Sequence, residues 1–313
     1  VSAGAAVVTL NYNGRGFLGA MMRSVAPQLG ECDARFVLFD NCSTDGSFEA
    51  AREEFGPAER FSFMRSDRNL GFAGGANAAL AGVTEPVAVL ANSDTVFGPG
   101  SLEALLAGLE RHPRAGLAAP RLLWPDGTLQ RSMRDFPFPG RLLVEHLPLL
   151  RACSARYSDH CTERRADWLV GAVMALRMGA FREIGGFDES YFFYHEETDL
   201  QYRLHRAGWE RWLVPASEVV HIEGGSASAV YGRETTLRYI PAKLRFLRKH
   251  GSRLDLAAFR VMMSAMHLGR AAAGLVLPGR ARGDVRFTRR YCAGALAALW
   301  ADGAGPRKGS TCP

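Results

Sequence analysis

The sequence predicts an α/β fold with a mostly parallel sheet, and two observations carry that expectation. Over the first hundred residues, apolar runs of strand length alternate with stretches of helical periodicity, and the runs are apolar throughout. Strands covered by helices on both faces read this way, whereas half-exposed strands alternate apolar with polar. Ligands of such sheets sit beyond the carboxyl ends of the strands, so the polar residues that follow each run are the first to inspect.

Taken in order, AAVVTLNYN reads as a strand ending near Asn11 and Asn13, and GFLGAMMRSVAPQL as a helix. ARFVLFDN is the next strand, ending at Asp40, and GSFEAAREEF the next helix. FSFMRS, GGANAALAGV and VAVLANSD continue as strand, helix and strand. From about 115 to 190, turns such as WPDG and FPFPG break the rhythm, an elaboration on the sheet and not a separate domain. DWLVGAVMALR is expected as one strand, and Glu196 to Ala207 as a helix stopped by Gly208. A further apolar run leads to His221, and from Pro241 onward the chain reads as helices.

With 47% hydrophobic and 22% charged residues, the 313-residue chain is an ordinary globular one. No basic-then-apolar leader is visible before the first strand, so a cytoplasmic location is expected. Cys32, Cys42, Cys153, Cys161, Cys292 and Cys312 show no C-x-x-C or zinc-finger spacing. They are expected to be reduced, without a disulfide framework or a zinc site. The net charge of +6 is unevenly placed: from Thr236 on, 15 Lys and Arg face 3 Asp and Glu, so this tail carries +12 and the rest −6. An anionic partner is expected at the tail, whether membrane, nucleic acid or the protein's own acidic body.

Several short stretches could carry chemistry, each with a plainer reading beside it. VLFDNCSTDGS places Asp40 at a strand end, where it can close a local Asx-type turn or accept from a ribose hydroxyl or base N–H. NLGFAGGANAAL matches neither nucleotide-triphosphate nor dinucleotide motif. Gly74 and Gly75 serve close helix–sheet packing there, or let the backbone approach a diphosphate. Asn92 and Asp94, just past an apolar strand, form a local turn or hold a divalent metal that bridges a diphosphate. His221 ends another run, and a lone His is more often structural than a ligand. Glu196, Glu197 and Asp199 crowd a helix's first turn, which the macrodipole alone explains. The preceding YFFYH is also an environment that raises a carboxylate's pKa toward that of a base.

Taken in order, Asp40, the Asn69 to Asn77 segment, Asn-Ser-Asp at 92 to 94, DWLVGA, GGFDESYFFYHEETDLQYRLHRAGW and HIEGGSAS resemble the family 2 glycosyltransferases, especially their rhamnosyltransferase-like branch. The resemblance spans about residues 5 to 245. It implies a GT-A fold, a nucleotide-diphospho-sugar donor, a divalent cation (Mn2+ or Mg2+) and inversion at the anomeric carbon. By position, Asn11, Asn13 and Asp40 look like the nucleobase and ribose pocket, and Asn69 with Gly74 and Gly75 like the segment that closes over the nucleotide. Asp94 falls on the metal position of the family's D-x-D element, whose first Asp is here Asn92, and His221 matches a histidine that helps hold metal or diphosphate. Trp168 and Gly171 resemble the acceptor-side wall. Glu197 is implied as the base that deprotonates the acceptor, with Glu196 in support. Relatives usually carry Glu-Asp here, so the choice between the two neighbours stays open, and His195 replaces a more usual aromatic.

The expected organisation is a catalytic unit over 1–240, with a nucleotide-sugar half at 1–100 and an acceptor half at 101–240, followed by a basic helical extension at 241–313. In that extension, residues 254 to 277 carry Arg260, Ser264, His267 and Arg270 on one stripe within a wide apolar arc. Charges interrupt the segment too often for a membrane span. An interfacial helix on anionic lipid and a helix packed on the catalytic unit both remain open. The resemblance implies rhamnose from dTDP-rhamnose, transferred to a glycan or lipid-linked acceptor of the cell envelope. Decoration of a small natural product, or sugar-nucleotide binding without catalysis, are the rivals. Nucleic acid is not expected, because few aromatics interleave with the tail's charges.

Overall fold

A computed structural model of the chain describes residues 4–56, 59–146, 149–222, 235–276 and 292–300. Strands β1 (Ala5–Asn11), β2 (Ala34–Asp40), β3 (Phe61–Arg65) and β4 (Val87–Asn92) alternate with helices α1 (Leu18–Val25), α2 (Gln28–Glu31), α3 (Ser47–Phe55) and α4 (Gly71–Ala81). Next come β5 (Thr95–Phe97), α5 (Ser101–Arg111), β6 (Ala115–Leu123), β7 (Leu129–Gln130), β8 (Met133–Arg134) and α6 (Pro139–His146). Then follow β9 (Arg164–Arg165), β10 (Trp168–Leu169), β11 (Val173–Arg177), α7 (Met178–Glu183), α8 (Glu196–Arg206) and β12 (Glu210–His221). Helices α9 (Thr235–His250) and α10 (Arg253–Val276) and a helical stretch over residues 292–300 complete the described chain.

The main sheet runs β3, β2, β1, β4, β11, β6, β12, β5, with β7 beside β6 and β9 beside β12. β1 is parallel to β2 and β4, β2 to β3, and β6 to β12, while β11 and β5 run antiparallel to their neighbours. Successive residues of one strand enter opposite cores. Val7 shares one core with Met21 and Met22 of α1 and Leu105 of α5, whereas Val8 belongs to another with Ala76 of α4 and Leu200 of α8. Burial on both faces is why the strands are apolar throughout. A third core joins Phe136, Leu142 and Trp168 to Ile240, Phe246 and Phe259, so α9 and α10 share buried surface with the 133–169 region.

Several expectations are corrected. The first helix is two, because Pro27 stands between α1 and α2. Inside the loosely patterned region lies β6, a nine-residue strand in the middle of the sheet. Its Pro120 has no N–H to give to the ladder, which is unusual inside a sheet. The structure accommodates it at a register shift, since β12 bulges between Val214, the partner of Pro120, and Glu218. DWLVGAVMALR is not one strand: β10 pairs with β8 in a separate small ribbon, and the chain turns at 170–172 before β11 enters the main sheet. Helix α9 starts six residues before Pro241, which lies inside it, and the boundary expected at 240 falls within this helix. Cys32, Cys153, Cys161 and Cys292 are free thiols, as expected, but Cys42 is disulfide-bonded.

Candidate active site

The ends of β1 and β2 are register partners, which sets Asn11 against Asp40. Asn11 Nδ2 donates to Asp40 Oδ1 at 2.8 Å and also lies 3.1 Å from Ser43 Oγ and 2.9 Å from Ser47 Oγ. The second Asp40 oxygen accepts from the Ser43 N–H at 2.9 Å and meets Arg65 Nε at 3.2 Å. Both side chains are fully buried. Asn13, at φ 52°, ties the two strand-end loops together, donating its N–H to Ser43 Oγ and accepting from the Thr44 N–H, each at 2.9 Å. The carboxylate of Asp40 therefore holds a frame, as the plainer Asx-turn reading has it. The groups that face the open recess of about 800 Å3 beyond β2 and β3 include Ser43, Thr44, Glu49, Arg65 and Asp67. Arg65 is the residue the sequence reading passed over, although it ends a strand as plainly as Asp40 does.

Asn69 belongs to an amide ladder. Asn41 Nδ2 donates to Asn69 Oδ1 at 3.1 Å and to the Gly71 carbonyl at 3.0 Å, and Asn69 Oδ1 also accepts from the Gly71 N–H at 2.8 Å. Gly71, at φ +73°, has room for no side chain, since a Cβ would fall 2.6 Å from the Phe192 carbonyl oxygen. Gly74 and Gly75 are buried inside α4, where a Cβ on Gly75 would meet Leu10 Cδ1 at 2.7 Å. Their geometry is that of helix–sheet packing, and of the two readings left open it supports the structural one.

Asn92 closes β4, and its N–H donates to the Ala172 carbonyl at 2.9 Å. Two residues on, Asp94 is nearly buried, and its Oδ1 lies 3.7 Å from Nε2 of His221, 127 positions away in the chain but brought alongside by β5 pairing with the end of β12. Gln130 Oε1 stands 3.0 Å from His221 Nδ1. With that oxygen accepting, Nδ1 carries the proton and Nε2 turns its lone pair toward the carboxylate. A carboxylate oxygen and an imidazole nitrogen at this separation suit one divalent cation, because donors each about 2.1 Å from an ion can lie up to about 4 Å apart. Among the described residues no group of three or more His, Cys, Asp or Glu could hold a metal. Two protein donors leave the remaining positions to substrate oxygens and water, as in sites that act on phosphates.

Helix α8 begins with Tyr194 and His195 both in the left-handed region, at φ 72° and 66°. Consecutive residues of this kind are strained and persist only where the surroundings impose them. The strain aims Glu196 and Glu197 from the first turn. Burial, then the charge of Glu197, pushes the Glu196 carboxyl well above the usual range, and its Oε2 has no hydrogen-bond partner. Burial also raises Glu197, although its side chain is only half-buried and accepts from Thr198 Oγ1 at 3.4 Å. The helix N-terminus favours the carboxylate form, so desolvation outweighs the dipole here. Glu197 lies over Gly171, where a Cβ would sit 3.0 Å from Glu197 Cβ. Because Ala172 binds Asn92, the seat of Glu197 and the Asp94 turn are adjoining backbone.

Trp168, expected beside an acceptor, is 9% exposed and donates its indole N–H to the Asp135 carbonyl at 2.9 Å, within the third core. Gln201 clamps β10 to α8 through both its amide atoms, to the Leu169 carbonyl at 2.7 Å and N–H at 2.8 Å. Gln130 and Gln201 carry no motif that a sequence reading could single out.

A family model, "Glycosyl transferase family 2", matches residues 6–184. An N-acetylglucosaminyl-diphospho-decaprenol L-rhamnosyltransferase of Mycobacterium tuberculosis is 36% identical over 203 residues, covering 59% of this chain and 65% of that protein. The match thus spans just under two thirds of the mycobacterial protein's length. Among solved structures, a mannosyltransferase of Pyrobaculum calidifontis in complex with GDP-Man and Mn2+ aligns with a TM-score of 0.57 at 16% identity, over 96% of this chain and 88% of that one. GalNAc-T7 with UDP, GalNAc and Mn2+ aligns at 0.56 and 16%, over 71% and 44%. These likenesses establish the GT-A fold: a mostly parallel sheet between helices, with C-terminal helices added. The chain belongs to glycosyl transferase family 2.

Proposed function

We propose that the chain is an inverting glycosyltransferase that moves rhamnose from dTDP-rhamnose to a hydroxyl of a lipid-linked acceptor in cell-envelope polysaccharide synthesis. The sugar and acceptor rest on the similarity to the mycobacterial enzyme, whose name states both a rhamnosyl group and a decaprenol-linked acceptor. The chemistry rests on one observation: a carboxyl raised by burial, seated on Gly171, adjoins the turn that brings Asp94 to His221.

In this reading Glu197 accepts the proton of the acceptor hydroxyl, because its side chain is half-exposed while Glu196 is buried. The freed oxygen attacks the anomeric carbon from the face opposite the nucleoside diphosphate, which inverts the centre without a covalent sugar–enzyme intermediate. Asp94 and His221 would hold a divalent cation, which when bound neutralises charge on the departing diphosphate. The recess beyond β2 and β3 takes the nucleoside, with Asn11, Asn13 and Asp40 holding its Ser43 and Thr44 from behind and Asn69 bound to the Asn41 that follows β2.

The test is release of nucleoside diphosphate from UDP-, dTDP- and GDP-sugars, with Mn2+ or Mg2+ and with EDTA, for the parent, Asp94→Ala and Glu197→Gln. Release from dTDP-rhamnose that EDTA and Asp94→Ala abolish is expected, with Glu197→Gln lowering the rate roughly 10²- to 10⁴-fold. Because burial raises Glu197, the parent's rate falls as pH drops through that raised value, at higher pH than an ordinary carboxylate would show. Release that survives Glu197→Gln but not Glu196→Gln moves the base to Glu196. Donor binding without turnover on any acceptor would favour the binding-only reading.

A further inference from the structure

On helix α10, Arg260, Ser264 and His267 turn toward the rest of the protein. Ser264 accepts from the Trp300 indole N–H at 3.1 Å, Arg260 lies over the Trp300 ring at 5.3 Å, and His267 is buried. The opposite side is open and uncharged. Leu254, Ala258, Val261, Ala265, Leu268 and Ala272 are all exposed, at alternating steps of four and three residues, which is one continuous helix face. Leu254 is 77% exposed, Val261 63% and Leu268 58%. Single exposed apolar side chains are ordinary, whereas an aligned row marks a contact surface. Of the eight large apolar side chains exposed among the described residues, all but Met64 lie on α6, the turn after it, α10 or the 292–300 helix.

We infer that this face of α10 lies in the surface of an anionic lipid bilayer. The charge around it selects that occupant. Arg141 on α6 and Arg248 and Arg253 at the α9–α10 junction are exposed, and the 236–313 region carries +12. A second copy of the chain would bring two such tails together and be repelled, whereas anionic headgroups attract each basic group near the surface. No helix among the described residues is long and apolar enough to cross a membrane, so the contact is interfacial. The docking face is also tied to the catalytic unit. Asp199 of α8, two residues beyond Glu197, takes Lys249 Nζ at 2.8 Å and His250 Nε2 at 2.7 Å from α9. A membrane-bound α10 would thus hold the acceptor side of the cleft at the height of a lipid-linked substrate. Lipid docking itself does not depend on the proposed reaction.

The experiment is flotation of the full chain with vesicles of phosphatidylcholine alone or with phosphatidylglycerol, for the parent, Leu254→Glu/Val261→Glu/Leu268→Glu and the single Val261→Glu. The parent is expected to float with anionic vesicles, less so in high salt and hardly at all with neutral ones. The triple variant should bind roughly tenfold more weakly or worse, and the single variant in between. Thermal unfolding and donor hydrolysis stay at parental values, because the three side chains are exposed and belong to none of the three cores. Failure of the parent to float, or flotation indifferent to both variants, overturns the inference. Concentration-dependent self-association lost in the triple variant would assign the face to a second copy and overturn it equally. Absence of rhamnosyl transfer would leave the flotation result standing, so the two readings fail separately.

Discussion

Gly171 lacks a side chain because Glu197 occupies the space one would need. A Cβ there would stand 3.0 Å from Glu197 Cβ and 3.1 Å from its Cγ, tighter than the ordinary contact distance. Gly171→Ala is therefore expected to lower kcat roughly 10- to 100-fold by displacing the carboxylate while leaving the donor KM and the melting temperature near parental values, as steady-state kinetics and calorimetry would show. Its neighbour Glu196 makes the opposite prediction, about stability. Its pKa in the folded state is raised above the unfolded value, so the fold is favoured while this carboxyl is protonated and loses that advantage as pH rises through the raised pKa. Glu196→Gln removes the cost of a buried charge. Melting temperatures should show the variant more stable than the parent at pH 8 and similar to it at pH 4.

At the scale of elements, α8 is held by its neighbours more than by its own caps. His195, the N-cap, makes no side-chain capping bond, and its ring is buried, packed on Tyr239 of α9 with centroids 4.6 Å apart. Burial, reinforced by Lys243, keeps that imidazole neutral. Asp199 supplies the anchor. Burial would raise its carboxyl, but hydrogen bonds from His250 and Lys249, together with Arg203 at 2.7 Å, outweigh that and hold it below the usual range. Its contribution is thus present above the unfolded pKa near 3.8 and lost as pH falls through the depressed value. Asp199→Asn leaves the Arg203 and Lys249 cations facing a neutral amide and should cost about 3 kcal/mol at pH 7, with the difference shrinking in acid, as urea unfolding at several pH values would measure.

On the scale of the whole molecule, the catalytic unit and the helical extension are divided by charge but not by packing. The first 235 residues are acidic and the remainder strongly basic, which is visible in composition alone. Yet Trp168 and Phe136 share a core with Ile240 and Phe259, and Asp188 and Asp199 bind Lys249, so the two parts meet through apolar area and ion pairs together. Partial burial would raise the Asp188 carboxyl, but hydrogen bonds from Lys249 and Ser190 outweigh it and hold it down to about 2. The boundary expected at 240 falls inside α9, so one helix belongs to both parts.

The α/β class, the strand ends of β1, β2 and β4, the Gly208 stop of α8 and the pair Asp94 and His221 were all readable in the sequence, because each depends on local periodicity, on turn chemistry or on a family motif. A strand buried on both faces must be apolar, and a helix that ends in a left-handed residue favours glycine. What the sequence left open were matters of contact between distant segments. Asp40 beside Arg65, Gly75 against Leu10 and Ser264 at the Trp300 indole are each contacts with a partner far away in the chain. Local propensity does not encode such a partner, and close packing in the tertiary structure supplies it.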